Sequence, residues 1–386
     1  MKVLILAPQP FYQERGTPIA IDWVCKALSE RGAQVDVLTF HEGENRSHEN
    51  VQIFRSKPWF PVKNIKPGFS VKKLICDVFL FFSFLKMILN NKYDAIHAVE
   101  ESAFMALIAY PFTKTPFIYG IDSSMTTQLI DKFSFLKITE GLLRFVESLP
   151  VRYAQVAAPV CQALADDIEK YHPKNIIILK DASLASESPV ANIPSLREEL
   201  GIKGKILMYI GNLESYQGID LLVESFEVAN REKNNLSLII IGGSDEDIQK
   251  YKLKVNDLKL GNNIFVIGKR PITHISAYMN QADVLVSPRI HGVNTPMKIY
   301  TYLDSGVAVL ATNLPTHTQA MTSEIGVLAE PNTIDFAKGI THIIENKNLR
   351  LKLAVNAKKY IEKEHSFEAF SRTVDKIYSL LPHIKK

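Results

Sequence analysis

Apolar positions in this chain follow two rhythms. Short continuous runs, KVLILAP, QVDVLTF, YDAIHAV and PFIYGID, read as strands. Between them lie longer periodic segments such as TPIAIDWVCKALSERG, read as a helix ending at Gly32. Strands separated by helices predict βαβ units on a parallel sheet. The rhythm breaks at SLASESPVANIPS, residues 183–195, which is rich in Ser, Pro and Ala and has no apolar period. It then restarts with KILMYIG, LSLIIIGG, NIFVIG, ADVLVSP and VAVLAT, runs expected of strands buried on both faces. The pattern predicts two doubly wound domains, residues 1–185 and 196–365, with ligands at strand carboxyl ends and in a cleft between the domains.

Composition narrows the class. The 386 residues suffice for two cores, and 46% hydrophobic with 22% charged residues is ordinary for a globular chain. A net charge of +4 is too small to indicate nucleic acid, and no nucleic-acid partner is expected. Three cysteines without C-x-x-C spacing fit a reduced, cytoplasmic setting. The amino terminus lacks a signal peptide's apolar core and cleavage site, so secretion is not expected. The greasiest stretch, residues 74–89, is interrupted by Asp77 and Lys86 and falls short of the roughly 20 apolar residues of a span. Before it, Lys57, Lys63, Lys66, Lys72 and Lys73 interleave with Trp59, Phe60 and Phe69. That mixture suits an anionic membrane surface, such as the inner face of a membrane, and equally a packed helix with a basic lead-in.

No G-x-G-x-x-G opens a helix, which disfavours nicotinamide or flavin. Asp245 and Asp247 have metal-like spacing, but acids belong in a helix's first turn, and no metal is expected. Thr295 followed by Pro296 reads as N-cap and first position of a helix running to about Gly306. Such a start offers an anion site, approached closely by the loop at Gly292. Lys298 then falls where the helix dipole disfavours a cation. Arg289 ends the strand just before.

The ordered motifs GNLESYQGIDLLVESF, YMNQADVLVSPR, NTPMKIYTYLDSGVAVLATN and HSFEAFSRTVDKIYSLL resemble the retaining glycosyltransferases of family 4, which have the GT-B fold. The resemblance implies a hexosyl transfer from a nucleoside diphosphate sugar, with no other cofactor, to a glycan or lipid-linked acceptor. It also implies that residues 366–386 pack back toward the first domain. Donor-binding positions carried over are Gly16, Thr17, Asn212, Gln217, Gly218, Arg289, Gly292, Asn294, Thr295, Met297, Lys298 and Thr301. Several depart from the family pattern. Thr301 and Val293 stand where members have glutamates, and Asn212 and Gln217 stand where they have an Arg and a Lys. Arg289 and Lys298 are the expected replacements for the lost cations.

For the reacting centre, YDAIHAVEESAF places His97, Glu100 and Glu101 near a strand end. Glu100 is the leading candidate, as a carboxylate stabilising oxocarbenium-like charge or orienting a hydroxyl. Asp122 ranks second, because Asp is also a common helix cap, and His97 is as readily a core histidine. The rival expectations are a non-catalytic glycosyltransferase-like sugar-binding subunit, motivated by the missing acids and cations, or another GT-B enzyme such as a sugar-nucleotide epimerase.

Overall fold

Val-, Ile- and Leu-rich runs that cannot face water on either side build two parallel sheets. In the computed structural model all residues are described except 14, 66–67, 185–192, 233–234, 293 and 383–386. The first sheet contains β1 (Lys2–Ala7), β2 (Gln34–Thr39), β3 (Val51–Arg55), β4 (Ala95–Val99), β5 (Phe117–Ile121) and β6 (Val156–Pro159). The second contains β7 (Lys205–Ile210), β8 (Leu236–Ile241), β9 (Ile264–Gly268), β10 (Val284–Ser287), β11 (Ala308–Thr312) and β12 (Val327–Ala329).

Strand order is β3-β2-β1-β4-β5-β6 in the first sheet and β12-β11-β10-β7-β8-β9 in the second. Both have the doubly wound order, with the direction of winding reversing between β1 and β4 and between β7 and β10. Register confirms the seams: Val3 pairs with both Val35 and Ala95, and Leu207 with both Leu238 and Val284. Such a reversal splays the following helices apart and leaves room for a ligand at the strands' carboxyl ends.

One compact unit comprises Met1–Asp181 with Phe367–Lys386, and the other Ala182–Ser366. The helix Phe367–Ser379 is held to the first unit by Phe370 against Trp23, ring centroids 5.6 Å apart, and by the Arg31–Asp375 ion pair. Of the segment 183–195, residues 185–192 lie outside those described.

Two boundaries differ from the sequence reading. The first helix is Gly16–Ser29, not extending to Gly32. Gly32 instead takes φ +70° in the turn that closes it, where Ala33 N–H donates to Leu28 C=O at 3.1 Å. Residues 74–89 fall within the helix Val71–Asn90, capped by Ser70, whose Oγ accepts from Lys73 N–H. Among the described residues no helix is long and apolar enough to cross a membrane.

Candidate functional site

At the reversal point of the second sheet, β7 delivers Tyr209 and β10 leads into Arg289. Lys298 Nζ donates to Tyr209 Oη at 2.9 Å and to Gln217 Oε1 at 2.7 Å, and lies 4.1 Å from the Tyr209 ring centroid. Burial, and then the Arg289 charge, push its pKa well below the usual lysine range. The guanidinium of Arg289 donates from Nε to His291 C=O at 2.7 Å and from Nη2 to Asn294 Oδ1 at 3.2 Å, and lies 5.2 Å from the Tyr216 ring centroid. Among the described residues neither cation has a carboxylate partner. Two enclosed cations without a neutralising acid raise each other's cost, and an anion would relieve it.

The seat is fitted by glycine. A Cβ at Gly292, whose φ is +116°, would lie 2.3 Å from Arg289 Nη2, so this glycine makes room for the guanidinium. Gly218 has φ +72°, and a Cβ there would lie 2.0 Å from Pro288 O, against the strand end that carries Arg289. Gly218→Ala is therefore expected to cost at least about 1–2 kcal/mol from the left-handed conformation alone, with the backbone clash in addition. Urea denaturation measures this; an unchanged midpoint would mean the loop yields freely.

The start of the following helix corrects the sequence reading. Regular helix spans Lys298–Asp304, with Met297 preceding it in helical conformation and no side-chain cap. Ile299 N–H donates to Pro296 C=O at 2.9 Å and Tyr300 N–H to Met297 C=O at 3.2 Å, a tight entry turn that satisfies amides an anion would otherwise use. Thr295 is buried and its Oγ1 lacks a partner among the described residues, so it does not cap. With one short helix and two amides committed, charge recognition here falls to side chains. Thr301 is also committed, its Oγ1 accepting from Leu184 N–H at 3.3 Å. Asn212 is exposed, 3.4 Å from Tyr216 Oη, and position 293 lies outside the described residues. Asp245 and Asp247 occupy the first turn of Asp245–Asp257, where Asp247 completes a capping box with Ser244.

Behind Arg289 lies a relay the sequence did not reveal. Thr312 Oγ1 donates to Arg289 C=O at 2.5 Å, and His317 Nδ1 is 3.0 Å from both Thr312 Oγ1 and Thr312 O. A carbonyl only accepts, so Nδ1 carries the proton and Nε2 accepts from Ser287 Oγ at 2.9 Å. Burial, joined by the charges of Lys298 and Arg289, pushes the His317 pKa down to about 3, so the ring is neutral and the tautomer single. Thr312→Val should lose about 1–3 kcal/mol by leaving buried partners unsatisfied, measured as a lowered urea midpoint.

In the first unit, Glu100 follows β4 at φ +52°, its N–H donating to Gly120 C=O at 2.9 Å. Ser123 Oγ approaches both of its carboxyl oxygens, at 3.0 and 3.2 Å, and is itself held by Gln128 Nε2 at 2.7 Å. Burial first, and then the charge of Asp122, raise the Glu100 pKa to about 8. Burial also raises Asp122, opposed by a hydrogen bond from Thr17. Asp181, absent from the sequence reading, joins them, raised well above the carboxylate range by burial and by Asp122. Three acids share one poorly solvated strand-end region, which favours the protonated form of Glu100 near neutrality.

Thr17 lies inside its helix and bonds Asp122 instead of capping. Gly16 begins that helix, and an added Cβ there would meet nothing within 4 Å. Gly16→Ala should leave the ligand-free protein as stable as before, so any loss of binding or turnover would report an approaching ligand. His97 is a core residue. It faces the opposite side of β4 from Ile96 and Ala98, where its Nδ1 meets Tyr378 Oη at 2.9 Å and burial lowers its pKa to about 4. Lys73 turns inward to pair with Glu101.

Two doubly wound domains, each with titratable side chains gathered at its reversal point, define the GT-B class. The description "Glycosyltransferase Family 4" matches residues 19–179 and "Glycosyl transferases group 1" matches residues 192–360. The chain belongs to the family 4 glycosyltransferases. An uncharacterized glycosyltransferase of Methanocaldococcus jannaschii is 22% identical over 354 residues, covering 86% of each chain. Among solved structures, HepE of Anabaena in complex with UDP superposes with a TM-score of 0.75 at 16% identity, covering 98% of this chain and 100% of that one. Sucrose-phosphate synthase of Thermosynechococcus elongatus gives 0.76 at 16% identity, covering 99% of each.

Proposed function

We propose that this glycosyltransferase is a retaining, metal-independent hexosyltransferase. It takes its sugar from a nucleoside diphosphate and delivers it to a glycan or lipid-linked acceptor at an anionic membrane surface. The observation that carries the donor assignment is the pair of cations Arg289 and Lys298, enclosed at the second sheet's reversal point without a carboxylate partner among the described residues. Lys298 reaches Gln217 directly. It thereby brings a positive charge to a position where the family resemblance implies a lysine that this sequence lacks. The UDP bound by HepE, which shares the fold, supports a nucleotide ligand of this kind.

In the proposed step the bond from the sugar's anomeric carbon to the phosphate oxygen breaks, and the acceptor oxygen bonds that carbon from the same face. The acceptor proton passes to the departing diphosphate, so no dedicated protein base is needed. Arg289 and Lys298 stabilise the charge that develops on the leaving group, the part a metal ion would otherwise take. Glu100, carrying a proton near neutrality, donates a hydrogen bond to the reacting partners, and the charge of Asp122, which accepts a hydrogen bond from Thr17, helps keep Glu100 protonated.

The substitution of Thr301 for a family glutamate, with its hydroxyl engaged by Leu184 N–H, favours the second reading, a non-catalytic sugar-binding subunit. Thermal shifts with a panel of nucleoside diphosphates and their sugars, with and without chelator, test the donor assignment. A ligand at about 100 times its Kd stabilises by about 2.7 kcal/mol. Stabilisation by at least one sugar nucleotide, unaffected by chelator, is expected; none by any would sink the donor assignment.

A further inference from the structure

We infer that one outer face of the first unit, built from the helices Val71–Asn90, Ser102–Thr113 and Glu140–Tyr153 and the turn Ser134–Thr139, docks on an anionic lipid bilayer. The inference rests on the membrane placement in the reading above and is independent of the donor. It also reaches well beyond residues 56–89, to Ile108 and Phe112 and to residues 132–145.

The helix Val71–Asn90 buries Cys76, Leu80, Phe84 and Ile88 toward the sheet. Its outward stripe should then be polar, yet Val71, Leu74, Val78, Phe82 and Leu89 are exposed there, Leu89 at 81%. A helix apolar on all sides belongs in a core or in lipid, and this one has a free side. Its neighbour Ser102–Thr113, packed against it, continues the pattern with Ile108 and with Phe112 at 86% exposure. The next helix packs on that one, and it and its lead-in turn present Phe135, Leu142, Phe145 and, at 94% exposure, Ile138.

Aromatic contacts join these parts into one surface. Phe69 meets Phe133 and Phe133 meets Phe135, each pair with centroids 6.0 Å apart, linking the lead-in of the first helix to the turn before the third. Trp59, 94% exposed, and Phe60 stand edge-on to Phe79 at 5.7 and 6.1 Å. Tips this exposed, with a tryptophan among them, suit insertion among headgroups.

Charge selects the occupant. Lys57, Lys63, Lys72 and Lys86 are exposed along the first helix and its lead-in, and Lys132 and Lys137 beside the turn. Against these lysines the exposed acid among the described residues 57–145 is Asp131, with Glu140 half-exposed and paired with Arg144. A second copy meeting this face about a two-fold axis would set the same lysines against one another. An anionic bilayer offers them opposite charge over its whole plane, and each lysine near such a surface strengthens binding about fivefold.

Co-sedimentation of the full-length protein with vesicles tests this. Phosphatidylcholine containing phosphatidylglycerol should carry the protein down at low salt, and phosphatidylcholine alone should not, with the difference shrinking as salt rises. Lys137→Ala should weaken binding about fivefold, and Phe112→Ser with Ile138→Ser by tenfold or more, while Lys338→Ala in the second unit should not change it. These side chains are exposed, so unchanged melting curves confirm intact folds. The inference is overturned by absence of binding to anionic vesicles at low salt, or by undiminished binding of the Phe112→Ser, Ile138→Ser variant. It is equally overturned by a concentration-dependent dimer, without vesicle binding, that these two substitutions dissolve. Nucleoside diphosphate binding on the same preparations separates the two proposals: donor binding without vesicle binding defeats this one and the membrane placement it rests on but leaves the donor assignment standing, and the converse defeats only the donor assignment.

Discussion

Lys298→Met is expected to weaken nucleoside diphosphate binding tenfold or more while leaving the empty protein as stable as the parent or more so. The reason lies in what surrounds the amine. Tyr209 and Gln217 supply hydrogen bonds and a ring face but no negative charge, and burial, with the charge of Arg289, lowers the lysine's pKa. Holding a charge there is unfavourable until an anion arrives, so replacing it by a thioether of similar length removes an internal cost. With diphosphate present the sign reverses, because charged hydrogen bonds contribute roughly 1.5–3 kcal/mol, and 1.4 kcal/mol is already a factor of ten in affinity. Arg289→Met should act likewise but lose some loop order, since its guanidinium also holds His291 C=O and Asn294. Equilibrium dialysis of the diphosphate against both single variants and the double checks this; parent-like binding by both singles would sink the assignment and favour the non-catalytic reading.

The second large effect belongs to Glu100. Glu100→Gln should lower kcat about a hundredfold, the scale of a lost proton donor, with little change in donor Kd. The parent's rate should fall as pH rises through about 8, where the carboxyl loses its proton, and that inflection should vanish in the variant. Stability offers an independent reading. The folded protein holds this proton more tightly than the unfolded chain, whose group titrates near 4.5. Stability due to this group is therefore present below about pH 4.5 and lost progressively as pH rises through about 8. The variant should consequently match the parent at acid pH and melt higher above pH 8. An unchanged kcat would remove Glu100 from the chemistry, and equal melting at alkaline pH would contradict its raised pKa.

Which parts of this were legible in the sequence follows from the physics of each signal. Strands buried on both faces leave unbroken apolar runs, and the central ones stood out. The edge strands Val51–Arg55 and Val327–Ala329 did not, one alternating in pattern and the other only three residues long. Arg289 and Lys298 could be found as two cations near one turn, but not that Lys298 points inward, because Tyr209 reads as one more core residue of β7. Thr295–Pro296 carries the letters of a helix cap, yet the tight turn at Pro296 and Met297 starts the helix later. His97 shows the opposite lesson. In a strand buried on both faces, a polar residue two positions before the end meets a covering helix, here Tyr378 on Phe367–Ser379, from far along the chain. Asp181 and the His317–Thr312 relay are tertiary gatherings of single residues with no local pattern to announce them.

The account turns on whether a sugar leaves a nucleoside diphosphate with its anomeric configuration kept. Proton NMR of a reaction between the protein, the sugar nucleotide that gives the largest thermal shift and a lipid-linked or glycan acceptor follows both halves together. The account predicts release of nucleoside diphosphate matched by a product whose anomeric coupling has the donor's configuration, at a rate that falls in Lys298→Met and Glu100→Gln. An inverted product, or a sugar nucleotide that binds and is never consumed with any acceptor tried, would contradict it.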